Sequence, residues 1–68
     1  MFDSDKKYWD RATEFIKGLE YVSCSILQRQ FRITYMTAGR LIDEMVRKGL
    51  VSGKKDNAGR HLVLKGSA

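Results

Sequence analysis

Two stretches with helical periodicity stand only three residues apart, and that spacing limits what this chain can fold into. Arg32-Ile33-Thr34 separates a segment patterned for a short helix over 26–31 from one patterned for a longer helix over 35–48. Each carries its own start signal, so the two are not one interrupted helix. Ser25, with Gln28 three residues on, forms a Ser-x-x-Gln capping box ahead of Ile26, Leu27 and Phe31. Thr34 is an N-cap for the second segment, whose apolar stripe is Ala38, Leu41, Ile42 and Met45. Arg47 and Lys48 complement the dipole at its end and Gly49 stops it. Helices joined this tightly cross steeply and cannot enclose a core alone, so the flanking segments must complete it.

Upstream, a helix is expected over 5–17. Tyr8, Ala12, Phe15, Ile16 and Leu19 share one face, Ser4 caps the start, Asp5 suits the dipole and Gly18 is a left-handed stop. Tyr21 to Cys24 reads as a short strand. Downstream, residues 50–64 read as a hairpin: Leu50-Val51-Ser52, a glycine-bracketed loop over 53–59, and a return strand from Arg60 to Leu64. Residues 65–68 form a tail. The expected fold is a single domain over 1–68, mainly α with a small β-hairpin: a winged helix-turn-helix in the order α-β-α-α-β-β.

At 68 residues such a domain buries only about 60% of the surface its unfolded chain exposes. The 43% apolar content argues against disorder. A single cysteine excludes an internal disulfide and points to a reducing compartment. No apolar run approaches a membrane span, and the N-terminus lacks the order of a signal peptide. The expected setting is soluble and cytoplasmic, with no membrane partner. Thirteen Lys and Arg against eight Asp and Glu leave a net charge of +5. The charge is lopsided: residues 1–20 hold four basic and five acidic side chains, residues 21–68 nine basic and three acidic. A polyanion, nucleic acid above all, is the partner this favours, bound after residue 20.

Catalytic readings find little to stand on. His61 is the one histidine, on a strand without a nucleophile beside it, and reads as structural or solvated. Cys24 between two serines reads as a small buried hydrophobe. Asp43 and Glu44 lie among Arg40, Arg47 and Lys48, where ion pairs one turn apart explain them. The glycines around Lys54-Lys55 lack the following helix a phosphate-cradling loop needs. No metal-ligand spacing is present, and neither enzyme activity nor a cofactor is expected.

Duplex DNA fits better. Opposite its apolar stripe, the third helix presents Met36, Thr37, Arg40, Glu44 and Arg47. The leading turns of such a helix enter the major groove, so Tyr35, Met36, Thr37 and Arg40 are the base-proximal candidates. Arg40 can donate two hydrogen bonds to a guanine edge, and Thr37 or Met36 can press on a thymine methyl. Gln28, Arg29, Arg32 and Thr34 are placed to hold phosphates beside the groove, and Lys54, Lys55 and Arg60 do so from the hairpin. Each has a plainer reading: Arg40 can pair with Glu44, Lys54-Lys55 can be a solvated loop, and Tyr35 can pack on the core.

The segment Leu27-Gln28-Arg29-x-Phe31-Arg32-Ile33-x-Tyr35, followed by Ala38-x-Arg40-Leu41-Ile42-Asp43, resembles the gamma domain of FtsK-type DNA translocases. The likeness runs on through Lys48-Gly49-Leu50-Val51-Ser52 and loosely into Arg60–Leu64, covering roughly residues 5–64. It implies a winged helix that reads short, directional, guanine-rich DNA and contacts a Xer recombinase, with Arg40 facing DNA and Arg29 and Arg32 beside it. The chain departs from the family pattern where Thr34 replaces a common Gly and Met36-Thr37 replace Asn-Arg. Those two are the family's leading base readers, so its guanine-rich target is not expected to carry over. The motor is absent. The initial Met and the first helix make a complete small protein at least as good a reading as a fragment.

The function expected is that of a sequence-preferring DNA-binding protein, a small transcriptional regulator or site-marking factor of phage, plasmid or mobile-element type. The alternative is a protein-interaction module engaging a recombinase, translocase or polymerase, for which exposed Tyr35 and Met36 would serve as anchors. Tight binding by so small a domain calls for a dimer or several copies on DNA. Phe2, Trp9 and Val46 are the apolar residues left for such a contact.

Overall fold

The computed structural model describes residues 3–64, with side chains from Lys6 onward. Three helices, α1 (Asp3–Ile16), α2 (Cys24–Phe31) and α3 (Tyr35–Arg47), pack against three short strands, β1 (Tyr21–Val22), β2 (Val51–Lys55) and β3 (His61–Val63). All strand pairs are antiparallel and the spatial order is β1-β3-β2, so β3 is central. The chain is mainly helical with a small three-stranded sheet, a winged-helix arrangement in which β1 joins the hairpin rather than standing apart.

Local chemistry explains where the helices begin and end. Helix α2 starts two residues before the expected position, because Ser23, not Ser25, caps it. Ser23 is extended (φ −143°, ψ 167°) and its Oγ accepts from the Ile26 amide at 3.3 Å. Cys24 is therefore a half-buried first-turn residue rather than a strand end, and β1 stops at Val22. Helix α1 begins at Asp3, ahead of the expected Asp5. The side chains of Ser4 and Asp5, proposed as cap and dipole partner, lie outside the described residues, as do Phe2 and the tail 65–68. Gly18 does not adopt a positive φ. Helix α1 instead closes by tightening, with Gly18 N donating to Phe15 O (3.3 Å) and Leu19 N to Ile16 O (2.9 Å).

Helix α3 closes differently. Lys48 is its C-cap, and Gly49 at φ +75° lets Leu50 N reach Met45 O (2.8 Å) and Gly49 N reach Val46 O (3.0 Å). That pair of bonds is a Schellman motif, and it delivers the chain into β2.

The core comprises Ala12 and Ile16 from α1, Leu27 from α2, Ala38, Leu41, Ile42 and Met45 from α3, and Val22, Val51 and Val63 from the sheet. Phe15 meets Phe31 edge-on at 5.7 Å between ring centroids, with Tyr8 tilted on the far side at 6.3 Å, fastening α1 to α2. Trp9 and Val46, set aside above as spare contact residues, are half-buried against this core. No described helix is long and apolar enough to cross a membrane.

The wing contains an irregularity that matters below. Val51 pairs with Val63 and Lys55 with His61, so β2 spends four residue steps where β3 spends two. The excess is taken up around Ser52–Lys54, where Ser52 Oγ accepts from Lys54 N at 3.2 Å. The carbonyl of Ser52 accepts instead from Nδ1 of His61 at 2.8 Å.

Candidate nucleic-acid interface

The surface opposite the core is built from the α2–α3 turn, the leading turns of α3 and the wing. The turn is set by Arg32, the α2 C-cap, whose backbone is left-handed (φ 55°, ψ 45°). An L side chain there carries strain that glycine would not, and the guanidinium is exposed. Ile33 packs against the core, and Thr34 then caps α3, its Oγ1 accepting from Thr37 N at 3.2 Å.

From this cap a polar ladder runs along α3. Thr34 Oγ1 donates to Thr37 Oγ1 at 3.1 Å, and Arg40 Nη2 donates to the same oxygen at 3.4 Å. The Thr37 hydroxyl oxygen thus accepts from a neighbour on either side along the helix. Tyr35 and Met36 flank the ladder at 61% and 70% exposure, so Tyr35 is not a core residue. Arg40 is half-buried.

Basic groups surround these turns. Arg29 and Arg32 are exposed, Gln28 is half-buried, and neither arginine has an ion-pair partner among the described residues. Glu44 pairs with Arg47 at 3.5 Å and Lys48 at 4.0 Å, toward the far end of α3. Lys54 and Lys55 stand exposed on β2. Arg60 is exposed as well; its Nε bonds Asp56 Oδ2 at 2.9 Å and its guanidinium lies 4.5 Å from the Tyr21 ring centroid. Asp56 Oδ1 also accepts from the amides of Ala58 (2.9 Å) and Arg60 (2.8 Å). Chiefly the Arg60 amide, helped by the Ala58 amide and the Arg60 guanidinium, holds the Asp56 carboxyl below its ordinary range. Arg60 thus braces the wing loop.

Two clefts separate α3 from the wing. The larger, about 650 Å³, runs along α3 past Gly39, Asp43 and Val46 to Gly53 and Lys55. The smaller, about 190 Å³, lies between the start of α2, Tyr35 and the wing. His61 lines both. Among the described residues no group of His, Cys, Asp and Glu side chains could hold a metal ion.

Sequence reasoning gathered Tyr35, Met36, Thr37 and Arg40 as one cluster, and they do share the leading turns of α3. It placed Gln28, Arg29 and Arg32 beside them, where the α2–α3 turn holds them. It did not find Ser25 and His61 as cleft residues, because their proximity depends on β1 pairing with β3, which no local pattern encodes.

A match to the Ftsk gamma domain extends over residues 3–65. This chain belongs to the FtsK gamma domain family. Gamma domains are the DNA-binding, sequence-recognising modules of DNA translocases, and the translocase ATPase lies in other parts of those proteins. Among relatives, the DNA translocase SpoIIIE of Bacillus subtilis is 43% identical over 56 residues, 82% of this chain and 7% of its own length. The DNA translocase FtsK of Lactiplantibacillus plantarum is 35% identical over 66 residues, covering 97% of this chain and 8% of the relative. That of Halalkalibacterium halodurans is 37% identical over 60 residues, 88% of this chain and 8% of the relative. This chain therefore spans less than a tenth of the relatives it matches.

Proposed function

We propose that this gamma domain is a sequence-preferring reader of double-stranded DNA that lays α3 in the major groove and the wing along the adjacent backbone. The observation that carries the reading is the Thr34–Thr37–Arg40 ladder. It aligns a cap, a hydroxyl and a guanidinium on the leading turns of a helix flanked by exposed basic side chains. Arg40 and Thr37 supply donors for base edges, Met36 an apolar surface for a thymine methyl. Gln28, Arg29, Arg32, Thr34, Lys54 and Lys55 hold phosphates; Arg60 keeps the wing in shape for that contact. Such a reader would mark sites or regulate transcription, and adjacent copies or a dimer would tighten its grip.

A second reading rests on the exposure of Tyr35 and Met36. Apolar and aromatic side chains at a helix end anchor protein interfaces, so a recombinase or other DNA-processing protein is the competing partner. Selection of bound duplexes from a random library at about 100 mM salt decides between them. A sharp motif supports the base reader, and its symmetry reports whether one copy or a two-fold pair binds. No enrichment at any position sinks base reading in favour of the protein partner.

A further inference from the structure

We infer that His61 is a positioning residue for DNA binding: by donating from Nδ1 to the Ser52 carbonyl, it holds the β2 bulge that carries Lys54 and Lys55. The inference rests on the wing contact proposed above and adds to it a residue that itself touches no DNA. His61 is the one buried polar or charged residue among the described residues, at 7% exposure. A ring nitrogen so placed needs a partner, and the bulge supplies it.

The bulge is first a matter of register. Val51 pairs with Val63 and Lys55 with His61, so Ser52, Gly53 and Lys54 all stand opposite Leu62. A regular ladder continued from Val51 would pair Gly53 with His61 and set Lys54 directly across from Arg60. Like charges facing each other across a ladder repel. The observed register avoids that pair, leaving Lys54 in the bulge and Lys55 at the last ladder position.

A bulge disrupts the ladder, so other bonds must hold three residues against one. Two are present. The Ser52 hydroxyl accepts from the Lys54 amide at 3.2 Å, fixing the bend from within. The Ser52 carbonyl accepts from His61 Nδ1 at 2.8 Å, tying the bend to β3. A carbonyl has no proton to give, so Nδ1 carries it, and a neutral ring is sufficient.

The bend also rests against α3. A methyl at Gly53 would come 3.4 Å from Val46 Cγ1, so the backbone here lies close to the third helix. Val46 is in turn packed on the core, and His61 lines both clefts between α3 and the wing. One imidazole thus fixes a bend that meets α3 on one side and presents exposed Lys54 and Lys55 on the other. Fixing that spacing before DNA arrives removes freedom that binding would otherwise have to freeze.

His61→Leu and His61→Asn separate the donor from the bulk. Leucine fills the buried site with no proton to give. Asparagine carries an amide nitrogen as many bonds from Cβ as Nδ1 and keeps the donor. With a duplex of about 20 base pairs, His61→Leu should weaken binding and make the log-log salt slope shallower by about 0.9 to 1.8, the share of one or two phosphates. His61→Asn should keep both near wild type. In a background of Lys54→Ala with Lys55→Ala, His61→Leu should change neither, because it acts through those two side chains. Nitrogen-15 NMR of the wild-type ring, which requires no variant to fold, should show a proton on Nδ1. This role is overturned by a proton on Nε2 alone, by an unchanged slope in His61→Leu, by an equal loss in His61→Asn, or by a further loss in the double-alanine background. Each of those results leaves the wing contact standing. If Lys54→Ala with Lys55→Ala itself alters neither affinity nor slope, the wing contact is what fails, and the role of His61 goes with it.

Discussion

The Thr34 hydroxyl lies 3.1 Å from that of Thr37, and the same Thr34 oxygen receives the Thr37 amide at 3.2 Å. One side chain therefore caps α3 and holds the Thr37 hydroxyl one turn later. Thr34→Ala removes both and should cost about 1 kcal/mol of stability, whereas Thr34→Gly should cost a few tenths, roughly. Urea unfolding of the three chains checks the order. If Thr34→Ala proves as stable as wild type, the cap contributes nothing measurable.

Glycines 39 and 49 should respond in opposite directions to the same substitution. A methyl at Gly39 would meet nothing within 4 Å, and the residue lies inside α3, so Gly39→Ala should stabilise by up to about 1 kcal/mol. Gly49 holds φ +75° in the Schellman turn, so Gly49→Ala should destabilise by about 1 kcal/mol, although space is equally open there. Thermal midpoints that move the same way in both variants would contradict this assignment.

These glycines also show where sequence is a sound guide. The stop at Gly49, the Thr34 cap and the Ala38–Met45 stripe are consequences of neighbours within one or two turns, and periodicity reveals such relations. Ser23 and Ser25 both suit a cap, and only the extended backbone at Ser23 decides between them. Gly18 fits a left-handed stop, but a tightened last turn satisfies the same carbonyls without one. The Arg60 brace needs Tyr21, thirty-nine residues away in sequence and brought close by β1–β3 pairing. Of the candidate interface, the α3 cluster was legible because it lies on one helix, whereas the clefts arise between elements.

Acid should loosen the wing. The Asp56 carboxyl is held below its ordinary value of 3.8 by the Arg60 and Ala58 amides and the Arg60 guanidinium. A group lowered in the folded state stabilises the fold fully above its unfolded value, and that stabilisation is lost as pH falls through the folded value. The loss from Asp56 is therefore confined to pH below about 4 and runs in the destabilising direction. Asp56→Asn should flatten the fall in stability between about pH 4 and pH 2 relative to wild type. Parallel curves would mean that the carboxylate adds nothing to the loop.

Base and backbone contacts should separate by their readouts. Arg40→Ala, and Thr37→Val with its hydroxyl donor removed, should blunt the selected motif more than they lower total affinity. Lys54→Ala with Lys55→Ala should weaken every duplex alike and reduce the log-log salt slope by about 1.8 for two phosphates. An unchanged motif in Arg40→Ala would remove α3's leading turns from the groove. An unchanged low-salt affinity in the double lysine variant would remove the wing from the backbone.

Arg32 offers the sharpest conflict between stability and binding. Its left-handed backbone (φ 55°) would be relaxed by glycine, while its exposed guanidinium sits on the turn that leads into α3. Residues kept in such a conformation at the edge of a candidate site mark a stability cost retained for function. Arg32→Gly should fold as well as wild type or better, by up to about 1 kcal/mol after the added chain entropy of glycine is set against the relieved strain. The same variant should bind duplex DNA more weakly, with a salt slope shallower by about 0.9. Equal affinity and an equal slope would show that the arginine is held in this turn for some reason other than a phosphate. A large loss of stability would show instead that its aliphatic stem, not its charge, is what the turn requires.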